Sequence, residues 1–310
     1  MKNTFNKKSV VCFGEILWDI LPSGKRPGGA PMNVAYHLQK LGIHTSMVSS
    51  IGKDQEGDEL LDFVKSTGLP TEYIQSNAFY KTSEVLATIR DNHEVSYEIV
   101  YPVAWDHIIW KPEYEQLLIE TDAFIFGSLG SRNELSRQTL LKMLGYSSYN
   151  VFDVNIREPF YSQELISQLL HRSHLVKLNA SELMMIAQWY APSCISETDA
   201  VDLLFRHFAM KEILITKGSK GATYHTESFS YDYPAYPIVV ADTVGSGDSF
   251  LAAFLAMKLG HQPVEVTLDY AAAMGAFITA QSGACPQYSK FDLDRFLWKR
   301  KLGMTDEWSA

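Results

Sequence analysis

In residues 241–260, ADTVGSGDSFLAAFLAMKLG, one acidic side chain, Asp248, stands between a run of small residues and an apolar segment. Phe250, Leu251, Phe254, Leu255 and Met257 predict a buried helix, which puts Gly245, Ser246 and Gly247 at its N-terminus. The first backbone N–H groups of a helix have no partner within it, and the dipole is positive there, so this loop is an anion cradle. Small residues keep Cβ atoms out of the anion's way. A carboxylate beside such a cradle is suited to take the proton of an alcohol while the amides hold the charge of a transferring phosphoryl group. Asp is also common in first helical turns simply because the dipole favours it, and the octapeptide alone leaves both readings open.

Other polar residues fall where they could share that site. In GGAPMNVAYHL, Gly28 and Gly29 precede a helix whose first turn holds Asn33, and Asp19 lies just upstream. A carboxylate and an amide are groups that hold sugar hydroxyls, although the glycines could also serve only to shape a turn. FDVNIRE ends a strand with Asp153, Asn155 and Arg157, LNASELMM ends one with Asn179 and Glu182, and ITKGSKGA offers Thr216, Gly218 and Gly221. In open α/β sheets the carboxyl ends of strands form the ligand crevice. The chain has no G-x-x-x-x-G-K-[ST], G-x-S-x-G or H-E-x-x-H, and Phe250 breaks a G-x-G-x-x-G reading of the cradle. His171 and His174 have helical spacing but no third ligand, which favours a structural role over a metal site.

These residues must be positioned by alternating strands and helices. SVVCFG, TSMVSSIG, AFIFG, VFDVN, LVKLN and EILITKG read as short buried strands. NVAYHLQKLG and DQEGDELLDFVKSTG read as helices ending at Gly42 and Gly68, the second capped by Asp54. The alternation predicts a mostly parallel sheet covered on both faces. Residues 83–101 switch to period two around Asp91–Asn92, a hairpin that would join EILWDILP in a small projecting sheet, or else edge the main one.

With 310 residues, 46% of them hydrophobic, the chain can bury a large core in a single domain spanning residues 1–310, with a lid from about 15–22 and 80–108. A net charge of −9 without basic clusters argues against nucleic-acid binding. Three scattered cysteines, Cys12, Cys194 and Cys285, fit neither a disulfide framework nor a zinc site. Gly14 and Glu15 interrupt the N-terminal apolar run before a secretory core forms, and no uncharged stretch approaches a membrane span, so a cytoplasmic location without membrane contact is expected.

DTVGSGDSF resembles the C-terminal signature of the PfkB, or ribokinase-like, carbohydrate kinases, and GGAPMNVAYHLQKLG resembles their N-terminal signature. FGEILWDILPSGKRPGGAPMNVA is similar to the fructokinase branch. The resemblance implies a ribokinase-like three-layer α/β/α sandwich with a small β-sheet lid, transfer of the γ-phosphoryl group of ATP to a sugar hydroxyl, and magnesium dependence. It implies Asp248 as base, the amides of Gly245, Ser246 and Gly247 as anion hole, and sugar contacts from Asp19, Gly28, Gly29, Asn33 and Asn155. Arg157 would meet substrate or the transferred phosphate. Thr216, Gly218 and Gly221 would form the nucleotide loop, and Asn179 and Glu182 would organise magnesium through water. Asp242 and residues 282–284 become candidates for a potassium-type ion, and the lid for pairing in a homodimer. Ser246 departs from the family's frequent Ala, a small change that leaves the amides usable. The acceptor expected is D-fructose; ribose, a keto-deoxy sugar acid or a nucleoside, and a non-catalytic sugar-binding regulator, are the alternatives.

Overall fold

The computed structural model describes residues 8–21, 24–89 and 95–302. The chain runs β1 (Ser9–Phe13), β2 (Leu17–Leu21), β3 (Gly24–Gly28), α1 (Ala30–Lys40), β4 (His44–Gly52), α2 (Gln55–Ser66), β5 (Ile74–Asn77), β6 (Ser83–Ile89) and β7 (Val95–Ile99). It continues α3 (Glu113–Ile119), β8 (Ala123–Gly127), α4 (Glu134–Met143), β9 (Asn150–Asp153), α5 (Gln163–Leu170), β10 (Leu175–Asn179), α6 (Ala180–Tyr190), α7 (Glu197–His207) and β11 (Glu212–Thr216). The last part is β12 (Ala222–Thr226), β13 (Ser230–Tyr233), α8 (Ser246–Leu259), α9 (Val264–Thr279) and α10 (Lys290–Lys301).

Nine strands form the central sheet in the order β13-β12-β11-β10-β9-β8-β1-β4-β5, parallel except where β12 pairs with β11 and β13. Alternating side chains of one strand feed two cores. Val10 and Cys12 of β1, with Ala123 and Ile125 of β8, pack under α1, α8 and α9, whereas Val11, Phe13, Phe124 and Phe126 join the opposite core with α4 to α7. This two-sided burial is why the strands read as unbroken apolar runs. All six strands expected from sequence are present, and Asp54 caps α2 by accepting from the Gly57 amide at 2.9 Å. No described helix is long and apolar enough to cross a membrane.

A second sheet, ordered β3-β2-β6-β7, forms the lid. β6 and β7 pair antiparallel as the period-two pattern predicts, while the expected tip, Asp91–Asn92, lies outside the described residues. β6 joins β2 in parallel, with Asp19 opposite Val85, and β2 joins β3 antiparallel, with Asp19 opposite Arg26. β3 was not anticipated. Its sequence, GKRPG, has no β-branched residue, and pairing with β2 alone makes it a strand. Arg26 ties this edge to the body by donating to Ser282 Oγ at 2.7 Å.

Candidate active site

Helix α8 begins at an N-cap glycine in the left-handed conformation, Gly245 at φ 75°. Its first α-helical bond runs from the Ser249 amide to the Gly245 carbonyl, 2.8 Å. The Ser246 amide turns back to Thr243 O at 3.3 Å, and its hydroxyl meets Thr279 Oγ1 at 2.9 Å. The amides of Gly245, Gly247 and Asp248 have no acceptor among the described residues. Of the trio expected at 245–247, Gly245 and Gly247 are open, and Asp248 takes the place of Ser246, whose amide closes the turn.

Asp248 lies in that first turn and keeps part of its surface in the cleft. Its Oδ2 accepts from Asn33 Nδ2 of α1 at 2.8 Å, and Asn33 Oδ1 in turn accepts from the Cys285 thiol at 3.3 Å. Desolvation, then the nearby Asp153 carboxylate, pushes the Asp248 carboxyl up to about 6, against the opposing pull of Lys177, Asn33 and Arg157. A carboxylate in that range is a competent base at neutral pH.

The lid side supplies a second carboxylate. Asp19, on β2, is pushed up to about 6 by burial and by Asp242 and Asp248, with Arg157 opposing. Gly28 makes room for it: a Cβ there would stand 2.3 Å from Asp19 Oδ2. Gly29, at φ 107°, would put a Cβ 2.5 Å from the Glu15 carbonyl, so the two glycines are required for different reasons. Glu15 itself is buried, and desolvation raises its carboxyl to about 7. Arg157 is exposed and makes no ion pair among the described residues; its charge lowers all three of these carboxyls. Asn155, two residues before it, sits at φ 39°, a conformation Asn tolerates better than most residues.

On the far side of the same cradle lies a cavity of about 730 Å³. Thr216, Gly218 and Gly221 line one wall, Ser246, Gly247 and Phe250 the floor, and Ile238 and Ala276 contribute apolar surface. Asn179 and Glu182 stand nearby at the start of α6, locked in a reciprocal cap: the Glu182 amide donates to Asn179 Oδ1 at 2.9 Å and the Asn179 amide to Glu182 Oε2 at 2.8 Å. Glu182 Oε1 accepts the Ile156 amide at 2.9 Å, so this one carboxylate fastens the loop carrying Arg157 to the end of β10. Asp242 accepts from the amides of Val244 and Gly283, both at 3.0 Å, holding residues 282–284 against the cradle. Within that segment the Ala284 carbonyl accepts from His37 Nε2 at 2.9 Å; His37 is fully buried, and desolvation lowers its ring to about 3, so it stays neutral.

Two neighbours were not singled out from sequence as site residues, Lys177 and Glu15. Lys177 forms an ion pair under the cradle with Asp153, a residue the sequence had placed at a strand end, and Glu15 sits behind Gly29. Lys177 had been legible only as part of a strand. His174 accepts from the Asn150 amide at 2.9 Å, a structural role.

The open amides thus lie between the polar side chains of Asp19, Asn33 and Asp248 on one side and a largely apolar cavity on the other. This is the plan of a phosphotransferase with an alcohol acceptor. Residues 8–290 match the sequence profile of the pfkB family carbohydrate kinases. The chain belongs to that family and is a carbohydrate kinase. It is 29% identical over 311 residues to the protein named probable fructokinase-5 of Arabidopsis thaliana, spanning 91% of this chain and 94% of the relative. It is 28% identical over 301 residues to the fructokinase of Solanum tuberosum, spanning 89% and 91%. The fold is similar to that of fructokinase with bound ATP from Xylella fastidiosa, with TM-score 0.84 and 22% identity over 95% of this chain and 99% of that one. It is also similar to fructokinase from Vibrio cholerae O395 in a fructose, ADP and calcium ion bound form, with TM-score 0.80 and 19% identity over 94% and 99%.

Proposed function

We propose that this kinase phosphorylates D-fructose at its 6-hydroxyl with ATP as donor. The observation that carries the reading is the convergence of Asp19, Asn33 and Asp248 at the lid-facing side of the cradle, in a chain whose relatives named above are fructokinases. Asp19 and Asn33 offer an acceptor and an amide to sugar hydroxyls, with Gly28, Gly29 and Asn155 as close backbone. Asp248 takes the proton of the attacking hydroxyl. The amides of Gly245, Gly247 and Asp248 hold the charge of the transferring group, and Arg157 meets it from the loop after β9.

The cavity lined by Thr216, Gly218 and Gly221 suits a nucleotide, since its glycines let backbone come close and its apolar wall suits a base. The described residues contain no cluster of three His, Cys, Asp or Glu able to hold a metal ion, and both Glu182 oxygens accept backbone amides. This donor set fits magnesium carried on nucleotide phosphates and reached by Asn179 and Glu182 through water. When bound, the ion neutralises phosphate charge. Both oxygens of Asp242 are likewise taken by amides, so a potassium-type ion beside it would be held by carbonyls of the 282–284 segment.

ADP release measured across D-fructose, D-ribose, a keto-deoxy sugar acid and a nucleoside tests the acceptor. The expected result is the highest kcat/KM for fructose, and a preference for another acceptor overturns the assignment. A second expectation concerns Gly28→Ala. The added methyl must displace the Asp19 carboxylate, so KM for the sugar rises about 10- to 100-fold while KM for ATP is unmoved, the loss expected for one charge-assisted hydrogen bond. Steady-state kinetics varying each substrate separately checks the split.

A further inference from the structure

Lys177 on β10 stands in register with Asp153 on β9, and its Nζ lies 2.9 and 3.0 Å from the two Asp153 oxygens. The side chains are only 9% and 4% exposed. A Cβ on Gly247 would sit 3.0 Å from Lys177 Nζ, so the ammonium rests against the first turn of α8, one residue from Asp248. Two of its three protons go to Asp153, and the third has no acceptor among the described residues.

As a stabilising device this placement makes little sense. A buried ion pair is often no better for stability than apolar packing, and a cation at the positive end of a helix is opposed by the dipole. The position becomes favourable when negative charge collects at the cradle. Burial disfavours the charged ammonium, yet the carboxylates of Asp153, Asp248 and Glu182 outweigh burial, and the net direction is toward holding the proton.

We propose that the Asp153–Lys177 ion pair is a positioning device for phosphoryl transfer, fixing the charge of Asp248 from beneath the cradle. It acts through Asp248 and the Gly247 turn. The pair gives opposite pushes: the Asp153 carboxylate favours protonated Asp248, and the ammonium favours the ionised form. The other groups facing Asp248 are Arg157 from the loop after β9, Glu15 from the end of β1, Asp19 from β2 and Cys285 from the segment before α10. None of them changes in the variants below.

This inference rests on Asp248 as the base. The test is the acid limb of the kcat/KM profile in Lys177→Met, Asp153→Asn and the double variant, with Asp248→Asn alongside and thermal melts for folding. Lys177→Met should move the limb up by about one pH unit and Asp153→Asn should move it down by about as much. The double variant, with no charge left at the pair, should return to within about half a pH unit of the unmodified protein and melt above Lys177→Met. Should Lys177→Met fail to fold, the Asp153→Asn and double-variant limbs still decide the sign. Limbs that move together, or stay in place in folded protein, overturn the role of the pair, whereas full turnover by Asp248→Asn overturns the base assignment instead.

Discussion

Asp248→Asn should lower kcat by about 10²- to 10⁴-fold, the range expected for loss of a positioned base, while leaving KM for both substrates within a few-fold. The amide occupies the same space and can still meet Asn33, so the fold and the cavity persist. The unmodified enzyme should show an acid limb near pH 6 in kcat/KM, because burial and Asp153 hold the carboxyl at about 6 and the base works only when ionised. The variant should lack that limb in its residual activity. A stability effect of defined sign accompanies this. A carboxyl whose folded value exceeds its unfolded one binds its proton more tightly in the folded state. It therefore favours folding at low pH, and that contribution disappears as pH rises through about 6. Asp248→Asn removes the burden of a buried negative charge, so its Tm should exceed that of the unmodified protein at pH 8, with the gap narrowing toward pH 4. An inactive protein that melts higher at pH 8 is the signature; near-normal kcat would take Asp248 out of the chemistry.

The same electrostatics connects the site's parts. Glu15, Asp19 and Asp248 are all raised chiefly by burial, and Asp248 raises the other two. The folded chain concentrates negative charge at the point where phosphates must arrive. Arg157, Lys177 and the open amides of α8 are the groups that oppose it. A site so arranged is stressed when empty, the usual cost of placing reactive groups together.

How much of this could be read from sequence depended on whether a residue's role was local. The start of α8 was legible because a helix start, its small residues and its first acidic side chain lie within eight positions. The six buried strands were legible because apolar β-rich runs are decided by burial on both faces. β3 was not, since GKRPG has no strand propensity and exists as a strand only through β2. The Asp153–Lys177 pair was hidden for a similar reason: 24 residues separate the two, and strand register alone makes them neighbours. Ser246 shows a finer limit. Composition could locate the loop but not reveal that its amide closes a turn on Thr243.

Gly245 offers the sharpest separation of cradle chemistry from loop architecture. At φ 75° an alanine would cost about 1–2 kcal/mol for its left-handed backbone alone. Its Cβ would also lie 2.6 Å from Ala284 Cβ and 2.7 Å from Ala284 Cα. Ala284 cannot easily yield, because its carbonyl is held by His37 and the preceding amide by Asp242. The start of α8 must therefore move, carrying the open amides of Gly247 and Asp248 with it. Gly245→Ala should lose about 2 kcal/mol or more of stability and about 10²-fold or more in kcat, since oriented donors lose most of their effect when displaced. Gly42→Ala, at the end of α1, is the matched control. It too has a positive φ, 87°, but nothing lies within 4 Å of its added Cβ, so it should show the backbone cost in Tm with little change in kcat. If Gly245→Ala melts lower yet turns over normally, the small-residue loop serves only the architecture and its amides do not carry transition-state charge.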